Sequence, residues 1–132
     1  MTAIRIRYDG RRRNPWNEFE CGSNYARSMA SYALLLTFSG FQYEMSKKHI
    51  GFEPVDYPGA PKNLSYFWSL DCAWGSFEYD GSQALVCVTE GELILNTFML
   101  PKGVLMCFDN PVTVRAGGKL TFRLNGNGWR VD

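Results

Sequence analysis

With 132 residues, 45% of them hydrophobic and 15% aromatic, the chain is long and apolar enough for one cored domain and too short for two comfortable ones. A formal net charge of +1 supplies no long-range field that would favour nucleic acid or an anionic membrane. Cys21, Cys72, Cys87 and Cys107 are widely spaced, contain no CxxC pair and stand beside a single histidine, His49, so neither a disulfide scaffold nor a zinc site can be built from local motifs. The four are expected to be buried thiols, and no metal or cofactor is expected.

The opening residues 2–9 alternate as Ile4, Arg5, Ile6, Arg7, Tyr8, a short amphipathic strand pattern that Asp9-Gly10 breaks. Arg5, Arg7, Arg11, Arg12 and Arg13 face one nearby acid, Asp9, and read as a solvated basic face. Pro15 biases Asn14 away from helix, so this stretch is a polar turn. From Ser23 the period changes: Ala26, Met29, Ala30, Ala33, Leu36 and Thr37 recur at three- and four-residue steps. With Ser23 as N-cap and Gly40 as stop, one helix is expected over 24–39. Leu35 and Phe38 carry its apolar surface round most of the circumference, so it should be covered on more than one side.

After Gly40 the pattern is that of strands. Segments 49–52, 64–70, 74–79, 83–89, 92–100, 104–108, 111–115, 119–124 and 128–131 alternate or carry β-branched and aromatic residues. Residues 54–61, rich in proline and glycine, form a loop. Asp80-Gly81 marks a hairpin, and Glu90-Gly91 and residues 101–103 mark further breaks. The expectation is a mainly β fold, an antiparallel β-sandwich of about eight or nine short strands with one N-terminal helix. Residues 1–40 and 41–132 should pack as one compact unit. No apolar run has the length of a membrane span and the amino terminus lacks the apolar core of a signal peptide, so the default compartment is the cytoplasm and no membrane insertion is expected.

The densest polar group is Asn17, Glu18, Glu20 and Arg27. Two carboxylates two residues apart do not straddle a scissile bond as an acid and base must, and a helix-terminal salt bridge explains them as well as a binding site does. Trp68, Trp74, Phe67 and Tyr66 could form a sugar-stacking platform, yet aromatics in sandwich strands are more often core. Trp16, next to Glu18 but for one residue, suits packing or a pocket wall. Cys21, Asp71 and His49 lack local partners for nucleophilic catalysis and read as structural.

The run RYDGRRRNPWNEFECGSNYARSMASYALL, residues 7–35, closely resembles a segment near the end of the catalytic domain of glycoside hydrolase family 116, the non-lysosomal glucosylceramidases and bacterial β-glucosidases. HIGFEP at 49–54 resembles the segment that follows, and WSLDCAWGSF at 68–77 does so more loosely. The resemblance implies an (α/α)6 toroid that hydrolyses β-glycosides with retention, to which residues 1–40 would contribute the expected helix. It implies that Glu18 and Arg27 hydrogen-bond hydroxyls of the glucose ring, with Gly22 at the backbone turn between them. No position here corresponds to the family's glutamate nucleophile or aspartate acid/base. The chain is therefore expected to be a carboxy-terminal piece of a retaining β-glycosidase, inactive alone, whose ligand is a β-glucoside or other sugar in the full-length enzyme. The alternative is a stand-alone β-sandwich module that binds carbohydrate or a protein. An uncovered helix bearing Met29, Leu35, Leu36 and Phe38 implies a homo-oligomer.

Overall fold

The computed structural model describes residues 29–132, with side chains from Ala33 onward. By its internal contacts the chain divides into two units, 1–34 and 35–132, and apart from the first residues of one helix the account below concerns the second. Helix α1, Met29–Ser39, ends where the sequence places its stop. Gly40 adopts φ +57° and returns its N–H to the Leu36 carbonyl at 2.8 Å. Ser39 is fully buried, and its hydroxyl bonds the Leu35 carbonyl at 2.6 Å, so the last turn closes on itself without water. The expected helix start and its Ser23 cap lie outside the described residues.

The strands are β1, Gln42–Glu44; β2, His49–Gly51; β3, Leu64–Ser69; β4, Ala73–Tyr79; β5, Gln83–Leu100; β6, Val104–Arg115; β7, Lys119–Asn125; and β8, Gly128–Val131. The mainly β class expected from the sequence holds, and the strands are eight among the described residues. The layers expected of a sandwich are two halves of one curled mixed sheet rather than separate sheets. The 18-residue β5 runs through both. Its first part pairs with β4 on one side and β7 on the other; its second part pairs with β6 and, in parallel, with β2. That parallel pair departs from the all-antiparallel expectation.

The expected break at Glu90-Gly91 is a bend within β5 and not a turn. Glu92 N donates to the Cys72 carbonyl at 3.1 Å and Ala116 N to the Gly91 carbonyl at 2.9 Å, so the ladder continues through the glycine. The burial pattern records what the bend does. Ala84, Val86 and Val88 point inward, then Leu93 and Leu95, then Phe98 and Leu100. Each change of parity coincides with an irregularity, the first where Thr89 is skipped in the register with β4, just before Gly91, and the second between Leu95 and Thr97, where the register with β6 shifts. Without those two defects a strand this long would turn half its apolar side chains to solvent.

Side chains from both halves meet in one core. Phe98 of β5 stacks on Phe122 of β7 with centroids 4.6 Å apart, and Phe52 stacks on Phe77 of β4 at 4.0 Å. All four rings are fully buried, each contributing about 2–3 kcal/mol by removal of apolar surface from water. The separate segments expected at 104–108 and 111–115 are one strand, β6, interrupted by residues that skip pairing around Pro111, which has no N–H to donate. Strand β1 was not legible: its three residues are all exposed and leave no alternation to read.

The Asp80 hairpin is as expected. One carboxylate oxygen, Oδ1, accepts from Ser82 N at 2.8 Å, Ser82 Oγ at 2.9 Å and Gln83 N at 2.6 Å. Those backbone and hydroxyl donors favour the ionised form and hold its carboxyl below the usual value. Elsewhere Glu53 plays a similar part, its carboxylate accepting from Lys102 N at 3.1 Å and Gly103 N at 3.0 Å to fix the Pro101–Gly103 turn.

Candidate functional site

The residues that carry the family resemblance most strongly, Trp16, Asn17, Glu18, Glu20, Gly22 and Arg27, lie outside the described residues, as does Cys21. The other candidates fall within the β unit. His49 has a long-range partner that the sequence could not reveal: its Nδ1 lies 2.8 Å from Thr97 Oγ1, across the parallel pairing of β2 with β5. No nucleophile and base are brought together there. Among the described residues no cluster of three His, Cys, Asp or Glu side chains could hold a metal.

The thiols depart from expectation. Cys72 and Cys107 are exposed and Cys87 is half-buried, because each occupies a turn or an outward-facing strand position that apolar character alone does not predict. Partial desolvation, reinforced by the neighbouring Asp71 carboxylate, raises the Cys72 thiol above its usual pKa. A thiol so placed stays protonated at neutral pH and is a poor nucleophile.

The aromatic group divides according to strand parity. Trp68 is 1% exposed and sits in the core, where its indole N–H has no hydrogen-bond partner among the described residues. Tyr66 packs at the edge of that core, and burial raises its phenol above the usual pKa. Phe67 and Trp74 are different. They are 49% and 41% exposed, and their rings pack on each other at 6.0 Å with an interplanar angle of 45°. The register explains why: Phe67 pairs with Ser76 and Ser69 with Trp74, while Trp68 and Phe77 point the opposite way into the core. The core reading therefore applies to Trp68 and Tyr66, and not to Phe67 and Trp74.

On the same outer face, further along β3 and β4, lies an open groove of about 260 Å³. It is lined by Asn63, Ser65, Glu78, Asp80, Gln83 and Leu85, together with Leu64 and Tyr79. Ser65 is directly opposite Glu78, and Glu78 opposite Leu85, so three adjacent strands build its floor. These lining residues were not singled out from the sequence. The available sign was the two-residue period of β3 and β4, which sets Ser65, Phe67 and Ser69 on one face with Trp74, Ser76 and Glu78. The face offers aromatic surface, hydroxyls, carboxamides and carboxylates, a set that can bind but has no activated nucleophile.

No protein-family model matches the chain, and no curated protein matches it. Among the described residues no helix is long and apolar enough to cross a membrane.

Proposed function

We propose that this chain supplies one wall of the sugar subsite of a retaining β-glycosidase of the glucosylceramidase and β-glucosidase type, together with a β-rich unit that follows it. The observation that carries the reading is the run at residues 7–35, which resembles glycoside hydrolase family 116 in both its acid and its arginine. A carboxylate such as Glu18 accepts from two adjacent ring hydroxyls while the guanidinium of Arg27 donates to others, and charge-assisted bonds of that kind fix ring orientation. The mainly β architecture from Gln42 onward supports placing the HIGFEP and WSLDCAWGSF segments in strands and turns beyond the helix.

With neither a nucleophile nor an acid/base at the matching positions, the chain alone should release no aglycone from an aryl β-glucoside. It should still bind a glucose-like iminosugar, and Arg27→Ala should weaken that binding at least about tenfold, in keeping with loss of a charge-assisted contact. Calorimetric titration of both forms tests this. Turnover by the chain alone, or equal binding by the two forms, would defeat the reading.

The same proposal extends to assembly. Leu35, Leu36 and Phe38 are 37%, 51% and 41% exposed at the end of α1, and Phe38 packs edge-on against Tyr57 at 6.0 Å. The Met29 side chain lies outside those described. An apolar surface of this kind favours a homo-oligomer formed through the helix. Light scattering at micromolar concentration should give a mass above 15.0 kDa, and a monomer there would exclude it.

A further inference from the structure

We infer that the outer face of β3 and β4 is a second carbohydrate site, which takes a neutral oligosaccharide along the strands with one ring in the groove and another on Phe67 and Trp74. The inference does not depend on Glu18 or Arg27. Two features that are each common become informative through their spacing. Phe67 is two residues from Ser65 on the same face of β3, and Trp74 is four from Glu78 on β4. At about 3.3 Å per residue the aromatic pair begins about 7 Å from the groove floor and extends to about 13 Å. That span suits two or three successive sugar rings and exceeds one.

The chemistry on the face favours a sugar over other ligands. Aromatic rings with one side open accept the apolar C–H face of a pyranose, and here two rings are tilted against each other and held by mutual packing, so little side-chain entropy is lost on binding. Beyond them Ser65, Asn63 and Gln83 can both donate and accept, as sugar hydroxyls do. Glu78 and Asp80 bring negative charge, and among the described residues no cation lines the groove. Lys119 and Arg123 of β7 pair with Cys87 and Gln83, one strand further on, and Arg123 already holds Asp132 at 2.6 Å. A phosphate, a nucleic acid or an acidic sugar would meet carboxylates without compensation, whereas a neutral polyol donates its hydroxyls to them.

The test uses the full chain with cellotetraose and maltotetraose, two neutral tetrasaccharides of opposite linkage geometry, in calorimetry and in amide chemical-shift mapping. At least one should bind in the micromolar to millimolar range and perturb amides of β3, β4 and the Asp80 turn. Trp74→Ala should weaken it about tenfold or more and Phe67→Ala should also weaken it, with unchanged far-UV circular dichroism in both, since both side chains are exposed. Excess glucose-like iminosugar should leave the binding intact, which separates this face from the Glu18 and Arg27 subsite. Absence of binding by either tetrasaccharide at about 10 mM, a concentration corresponding to barely 3 kcal/mol, would overturn the inference. So would equal affinity of the folded Trp74→Ala and Phe67→Ala variants, or loss of self-association in them, which would assign the face to a protein contact.

Discussion

Phe98→Ala is expected to lower the stability of the β unit by about 3–5 kcal/mol, read as a fall in the denaturant midpoint. Phe98 is fully buried at the point where the two halves of the sheet meet. Its ring stacks on Phe122 at 4.6 Å and lies 6.2 Å from Phe77 and 6.1 Å from Phe52, so truncation opens a cavity walled by three other rings. Those rings belong to different strands or to the segment after β2, and the backbone ladders prevent them from closing the gap together. The comparison that gives the measurement meaning is Leu105→Ala. Leu105 is 51% exposed on β6 and its truncation should change stability by no more than about 0.5 kcal/mol. Equal losses from the two would mean that the core does not lie where the halves of β5 place it.

The second large effect is expected from Gly91→Ala, and its cause is backbone geometry instead of side-chain volume. Gly91 has φ +88°, a conformation that costs an alanine about 1 kcal/mol or more. A methyl group there would also fall on the Cys72 carbonyl oxygen and within 2.8 Å of Ala73 Cα. Both are backbone atoms of the adjoining turn and strand, and neither can swing aside as a flexible side chain would. The two costs together should reach about 3 kcal/mol or more. Gly81→Ala isolates the first of them, because φ is +94° but the added carbon meets open space. Thermal unfolding of the pair should therefore show a small loss at 81 and a severe one at 91. Similar small losses at both would remove the close approach of β5 to the Cys72 turn as a constraint on the fold.

Gly91 also shows how far local sequence reasoning reaches. Glu90-Gly91 lies between two apolar alternations and reads as a break between two strands. The glycine does adopt a positive φ. Whether a positive φ reverses a chain or merely bends it depends on which strands flank it, and here β5 passes from pairing with β4, which reaches Gly91, to pairing with β6, which begins at Glu92. The same limit applies at residues 108–111, where a proline and two polar residues have the composition of a loop but are spanned by a single strand. By contrast, Asp80 was legible because everything that fixes its hairpin lies within three residues of it.

The aromatic segments make the corresponding point about function. Composition placed Tyr66, Phe67, Trp68 and Trp74 together, and the commoner fate of such residues is the core. Alternation within β3 could assign Phe67 and Trp68 to opposite faces, but not say which face was inward. That choice required the sheet to curl, since the curl encloses Trp68 and Phe77 and leaves Phe67 and Trp74 on the convex outside. The groove beside them is a product of register between β3, β4 and β5, three segments whose pairing no local motif specifies.

The sequence by itself determined the mainly β class, the end of α1 at Ser39, most strand positions and the Asp80 hairpin, because each follows from periodicity or from contacts within a few residues. It also carried the resemblance on which Glu18 and Arg27 rest. Only the tertiary structure decided that β5 is one strand shared by both halves, that β2 joins it in parallel, that His49 meets Thr97, and that two aromatic rings face outward beside a polar groove. Those features depend on pairings between residues far apart in the chain, as His49 and Thr97 are at 48 positions. Their partners are chosen by the burial of one common core, and no local period encodes that choice.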